Sequence, residues 1–485
     1  MGQLLAGLRP NTGRVNHNGE NSLDPLALQH DDPGLIMADS LDALADFACR
    51  TELGDIEPRA LAHLRAIIAD TLAVCAIGNQ EAPMRQLLAL QREQVAGGQA
   101  CVLGTGQRLN ALDAAALNAA AGCWLELDEG NLTSNGHPGI QVIPTALAVA
   151  QQLGRSGADF LLASAIGYEI VARIGSACDM RMSIHPHGTY GVVGAAVAAA
   201  RLLGLGPAAM REVISLAGSS PIAGNRQGMK EGATLRNWYA AHSATMGQTA
   251  VRLVQSGFTA PIDGLQPTCN DVLFDHFRPD VMVQDLGRRW LLADGYIKLY
   301  GCGRPIHAAI DALRNALEPL GGPSTWPAPE QVERIDLRGF KFLVFLNRTD
   351  IRNAFATRFS TPFALASVLT HRSHGIECFT DEAAADARVQ SLMARVQMQE
   401  DAAMSERFPA QQCCELTVVL RDGRRLSGRC ESIRGEPANP ADPQDYRDKF
   451  MALAERIWPA DRLGELYEQA RHPERLPSLQ GWGLA

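Results

Sequence analysis

Gly191-Val-Val-Gly-Ala-Ala-Val-Ala-Ala-Ala-Arg-Leu-Leu203 carries one charged side chain and has no polar face. A helix without a wet side must be enclosed by other helices, so this stretch reads as the middle of a bundle. Outward from it, Ala111–Cys123, Pro144–Leu153 and Gly157–Ile174 share the same small, apolar texture. Glu57-Pro58 opens another helix, in which Leu61, Leu64, Ile67, Ile68, Leu72 and Cys75 follow three/four spacing before Gly78-Asn79 closes it. From Ser40 to about Arg278 the pattern is helical almost throughout.

After about Pro279 the pattern changes. Val332–Arg338 alternates apolar and charged residues, which suits a half-buried strand. Cys414–Leu420 and Arg425–Arg429, separated by Asp422-Gly423, read as a hairpin, with helical pieces at His307–Leu317 and Thr361–His371. Tyr446–Trp458 and Arg462–Arg471 are helical again. The expected fold class is mainly α, a large all-helical domain plus a smaller α+β domain. The expected boundaries are a disordered or loosely attached leader over 1–38, a helical domain over 39–278 completed by 441–485, and the α+β domain over 279–440.

At 485 residues, 46% of them hydrophobic, the chain is long enough for two cores. Lys and Arg number 44 against 53 Asp and Glu, a formal charge of −9, which argues against a nucleic-acid backbone as partner. Gly191–Leu205 and Ile140–Leu153 are too short and too interrupted to span a bilayer, and Met1–Met37 lacks the pattern of a signal peptide. No membrane partner is therefore expected. The 11 cysteines form no C-x-x-C pair and sit largely in apolar helices, which suits a reducing cytoplasm.

Four segments could carry chemistry. Glu126-Leu-Asp-Glu-Gly-Asn131, followed by Gly136-His-Pro-Gly139, sets clustered carboxylates and a histidine beside a helix junction, the components of an acid/base site. Taken alone it reads more readily as a solvated loop with acidic helix-end residues. Ile184-His-Pro-His-Gly188 opens a helix, where the dipole favours a neutral imidazole, although a loop histidine bonded to backbone has the same sequence. Thr234–Ala240 and Tyr296–Ala308 place Arg236, Lys298 and Arg304 among aromatic and small residues, ready for a carboxylate ligand or for a structural ion pair.

In order and spacing these segments resemble the MmgE/PrpD family, which includes 2-methylcitrate dehydratases, cis-aconitate decarboxylases and iminodisuccinate epimerases. The resemblance runs from about Ser40 to about Gln469. It is carried by the acidic cluster with His137-Pro-Gly, Gly167-Tyr-Glu169, His185-Pro, Gly257–Pro261, Ile297–Cys302 with His307 and Asp311, Arg358–Phe363, and Lys449-Phe450. It implies a homodimer of two-domain subunits, an active site between the domains, and no metal or organic cofactor. By motif position, His185, His137 and Asp128 are the implied catalytic residues and Lys298 faces a substrate carboxylate. Arg236, Glu129, Asn131, His187, Arg304 and Tyr300 complete the expected substrate-binding set.

Three departures bear on the reaction. Glu126-Leu-Asp-Glu-Gly-Asn131 replaces the frequent Asp-Phe-Asp-Asp-Thr, Arg236 stands where many relatives have lysine, and Phe363 replaces a tyrosine. The last points away from a decarboxylase site using that hydroxyl. The reading is a cofactor-independent lyase acting on a small di- or tricarboxylate, of the 2-methylcitrate dehydratase type, with His185 as base and His137 as acid. Alternatives are an epimerase of an iminodisuccinate-like substrate, a cis-aconitate-type decarboxylase, a carboxylate-binding protein without catalysis, or a metal-dependent hydrolase built on His137, His185, His187 and Asp128.

Overall fold

The computed structural model describes residues 33–95 and 97–484, with side chains from Ser40 onward. Most of the expected leader lies outside the described residues, and residues 33–38 already belong to helix α1 (Pro33–Arg50). The large domain continues with α2 (Pro58–Gly78), α3 (Ala82–Gln94), α4 (Ala111–Gly122), α5 (Pro138–Leu153), α6 (Gly157–Ser176), α7 (Gly191–Leu203), α8 (Pro207–Gly218) and α9 (Leu235–Gln255). As its composition requires, α7 is enclosed, packing on α5, α6, α8 and α9. The α2 helix is long and apolar enough to cross a membrane, but it is a core helix here, with most of its residues buried.

Small residues set the helix spacing. A Cβ on Gly167 of α6 would lie 2.7 Å from the carbonyl oxygen of Gly194 in α7, and one on Gly194 would lie 2.6 Å from that of Gly167. The two backbones therefore touch. Gly194→Ala should destabilise the fold by about 1–3 kcal/mol through overpacking, read as a lower urea midpoint. An unchanged midpoint would show that the crossing is not tight.

The helix expected from Pro144 starts instead at Pro138, where a missing N–H is harmless, and Pro144 lies inside it. Packing of α5, buried from Pro138 to Gln151, against α4, α6 and α7 offsets the roughly 3 kcal/mol that an internal proline costs.

The smaller domain centres on a four-stranded sheet with order β4-β3-β1-β2. Its strands are β1 (Val332–Gly339), β2 (Val396–Glu400), β3 (Cys414–Leu420) and β4 (Arg425–Cys430). The β1/β2 pair is parallel, and β1/β3 and β3/β4 are antiparallel. Gly423, at φ 87°, makes the hairpin turn. Helices α10 (Arg304–Leu317) and α11 (Thr361–His371) pack with the sheet, whereas α12 (Pro443–Ala454) and α13 (Ala460–Arg471) return to the large domain on α2.

The expected boundary at 279 shifts. Phe277, Met282, Trp290, Leu292 and Ile297 lie in the helical core, while the second core, apart from Met229, runs from Tyr300 to Ile433. Segment 279–297 loses helical regularity without leaving the first domain, because α6 holds it. Arg173 donates to the carbonyls of Met282, Gln284, Asp285 and Arg289, and Glu169 accepts from the N–H groups of Leu291 and Leu292.

Candidate active site

The chemistry-bearing segments meet where the two domains face each other. The chain leaving α4 supplies Glu126, whose φ of 53° places a non-glycine residue in the left-handed region. Such a conformation needs compensation from its surroundings. Here Glu126 accepts from Lys298 Nζ (3.0 Å) and pairs with Arg236 Nη2 (2.9 Å). Lys298 also donates to Asp128 Oδ1 at 3.2 Å. Two buried cations thus answer two buried carboxylates, the condition under which such charges are tolerated. Beneath them, Lys449 of α12 donates to the carbonyl of Leu127 and pairs with Asp70 at 2.6 Å, so both chain ends support the loop.

Asp128 organises the histidines. Its Oδ2 lies 3.2 Å from both His137 Nδ1 and His187 Nε2, close enough for charge interaction without aligned hydrogen bonds. Burial would raise this carboxyl, but Lys298 and His137 hold it well below its ordinary value. Lys298 is driven up in turn, since Asp128 and Glu126 outweigh its own burial.

His137 caps the start of α5 and lines the cavity. Its Nδ1–H donates to the carbonyl of Glu129, with Asp128 alongside. Its Nε2 has no protein partner among the described residues, and so presents its lone pair. Burial brings the imidazole down to about 4 against the pull of Asp128, leaving it neutral at pH 7.

His185 also lines the cavity but is differently occupied. The backbone N–H of His187 donates to its Nδ1 (3.2 Å) and Arg236 Nε donates to its Nε2 (3.1 Å). A neutral imidazole has one acceptor nitrogen, so its lone pair is already engaged. Burial and Arg236 hold His185 well below the ordinary histidine value.

His187, expected at the substrate, is fully buried behind these two, with ring centroids 4.7 Å from both His137 and His185. It packs against them and does not line the cavity. Glu129 is likewise enclosed, accepting from Gly139 N–H and Tyr168 O–H, and burial pushes it up to about 8. Asn131 reaches the cavity but is occupied in shaping the loop, donating to the Leu291 carbonyl and accepting from Ser134 N–H.

Tyr300, also expected at the substrate, faces away. Its O–H donates to Asp311 (2.6 Å) and accepts from Arg314 (2.8 Å). The chain bends after Lys298, so Tyr296 instead lines the cavity, with the Arg304 guanidinium 4.1 Å from its ring centroid. Its phenol has no hydrogen-bond partner among the described residues, and burial raises it to about 12. Arg304 lines the cavity and pairs with Glu436 at 2.8 Å. Phe363 is fully buried in the smaller domain's core and does not line the cavity, so its missing hydroxyl says nothing about the reaction.

Arg226 was not legible in advance. It lines the cavity, donates to the Ile184 carbonyl and has no carboxylate partner among the described residues. Only its uncompensated charge in three dimensions marks it. The resulting cavity of about 470 Å³ gathers His137, His185, Arg236, Lys298, Tyr296 and Arg304.

Cys123, Asp128 and His187 bring donor atoms within 4.8 Å of one another. A metal there would sit beside the Lys298 ammonium, which already holds Asp128, and would have to ionise a thiol that burial pushes well above its ordinary value, so these residues fit a cation poorly.

Comparison with known proteins agrees with this architecture. The model of the MmgE/PrpD N-terminal domain matches residues 42–277, and that of the MmgE/PrpD C-terminal domain matches residues 300–470. Human (Homo sapiens) cis-aconitate decarboxylase is 24% identical over 442 residues, covering 88% of this chain and 90% of its own. The Mus musculus cis-aconitate decarboxylase is 25% identical over 346 residues, 68% and 69% of the two chains. The Aspergillus terreus one is 24% identical over 290 residues, 56% and 59%.

Proposed function

The chain belongs to the MmgE/PrpD family, and on that premise we propose that it is a lyase that dehydrates a β-hydroxy di- or tricarboxylate. One observation carries this reading. His137 presents an unpartnered, neutral Nε2 to a cavity that also holds Arg236 and Lys298. A proton on carbon beside a carboxylate is weakly acidic, so its removal needs a placed base and cations for the developing charge. His137 Nε2 takes the proton, and Asp128 steadies the imidazolium that forms. Arg236 and Lys298 bind a carboxylate, which takes over part of the role Glu126 has in the free protein, and Arg226 meets another. The C–O bond then breaks, Tyr296 protonates the departing hydroxyl to water, and the phenolate recovers a proton from the imidazolium. The geometry supports exchanging the two histidine roles expected from sequence, with His185 and Arg236 acting as a carboxylate-binding pair.

Decarboxylation is the second reading, favoured by the names of the relatives. There the loss of CO2 leaves a carbanion for Tyr296 to protonate. NMR in D2O with citrate, 2-methylcitrate and cis-aconitate separates the two. Dehydration gives a vinyl proton from citrate and an allylic methyl singlet in place of the methyl doublet from 2-methylcitrate, and decarboxylation gives a shorter unsaturated diacid and CO2 from cis-aconitate. Neither product, from any member, would refute the lyase reading.

The acid limb of the pH profile follows from His137. The base form is lost as pH falls through its folded-state value of about 4, well below the ordinary histidine value. kcat/KM should hold level from pH 8 to about 6 and fall only below about 5. A break near 6.5 would mean that a solvent-exposed histidine is the base.

A further inference from the structure

The cavity is charged mainly where the large domain lines it, among Leu132, Cys178, Met180, Met182 and Pro186, and aromatic where the smaller domain does. Nearly all its charged groups come from residues before 300. Beyond Gly303, Arg304, Pro305 and Gln412, the smaller domain contributes the apolar surfaces of Phe342, Leu346, Phe359, Phe408 and Pro409, joined by Met229 from the large domain. The aromatic part is continuous, since Phe342 and Phe408 have ring centroids 6.0 Å apart. Arg226 marks the junction, its guanidinium 5.8 Å from the Phe342 centroid. The acidic groups at the rim are already matched, Asp179 with Arg278 and Asp275 with Arg181.

Apolar lining is ordinary in ligand cavities, but a continuous aromatic lining from one domain is informative. A volume of about 470 Å³ equals roughly fifteen waters at ~30 Å³ each. An unsubstituted tricarboxylate has about a dozen non-hydrogen atoms, each needing less space than a water, and all its carboxylates seek the polar end. It would leave the aromatic end in contact with water, which is unfavourable in proportion to the apolar area exposed.

We propose that the substrate is a carboxylate head bearing an apolar arm, an alkyl chain of several carbons that lies along Met229, Phe342, Leu346, Phe359 and Phe408. This deepens the lyase reading and rests on it for the placement of the head at Arg236, Lys298 and His137. The smaller domain then selects the substrate, and the larger one supplies the chemistry.

Two series on the full-length protein test this. The first is calorimetric binding of 2-alkylsuccinates with arms from methyl to hexyl, which lack the β-hydroxyl and do not react. Kd should tighten about fourfold per methylene until the apolar end is full. The second is kcat/KM for 2-alkylcitrates of the same arms, which should rise in parallel. The double variant Phe342→Ala/Leu346→Ala should flatten both series, lowering the hexyl-to-methyl ratio at least tenfold. A flat or weakening Kd series, or a slope that survives in the double variant, overturns the apolar arm whatever the catalytic outcome. A tightening series without turnover of any citrate upholds the arm and refutes the dehydratase reading instead.

Discussion

His137→Ala should lower kcat/KM by ~10²–10⁴-fold, the range for a positioned general base. The argument is one of lone pairs. His137 Nδ1 is committed to the Glu129 carbonyl, which forces the open pair onto Nε2 at the cavity. His185 meets a donor at each ring nitrogen. His185→Ala should therefore act chiefly on KM, because it removes the group that orients Arg236. Two variants at saturating substrate decide between the assignments. Loss of kcat in His185→Ala with near-normal kcat in His137→Ala would restore the roles expected from sequence. The His137 variant should lose about 1–3 kcal/mol in urea unfolding, because the ring is only 14% exposed and gives up its bond to the Glu129 carbonyl, so the kinetics are read on folded protein.

Lys298→Met should be the most damaging single change to stability, at about 3–5 kcal/mol. The methionine fills similar volume, but Glu126 and Asp128 lose the ammonium that offsets their burial. Arg236 still answers Glu126, whereas Asp128 is left with neutral histidines. The pH dependence separates this from a packing defect. In the wild type the folded-state value of Asp128 is depressed, so its contribution is present above the unfolded value of ~3.9 and is lost as pH falls through the folded one. In the variant that depression is gone. The stability difference should be full at pH 6–8 and narrow towards pH 4 as the carboxyls neutralise. A gap independent of pH would mean that lost packing, not charge, is responsible.

Much of the helical domain was legible because burial leaves a one-dimensional trace. The bounds of α7 and α11 coincide with the apolar runs that announce them, and α2 starts and stops at its proline and glycine. The hairpin of β3 and β4 is equally local, set by alternation and by Asp422-Gly423. Boundaries governed by distant contacts were not legible. Pro144 looks like a helix start until the enclosure of α5 is known, and segment 279–297 looks like a new domain until Arg173 and Glu169 are seen to hold it.

The same distinction holds at the site. The sequence alone determined the bundle, the acidic cluster, the histidine segments and the cations, because each is a matter of residue type at a given spacing. Only the tertiary structure decided which of these groups has an open valence at the cavity. Arg236 reaches His185 across 51 positions and Glu126 across 110, and those contacts take the lone pair of one histidine while leaving that of His137 open. A bend after Lys298 turns Tyr296 inward and Tyr300 outward, and helix packing encloses Phe363. Hydrogen-bond capacity is finite and is shared among neighbours in space, so a residue's chemistry follows from the partners that folding brings to it.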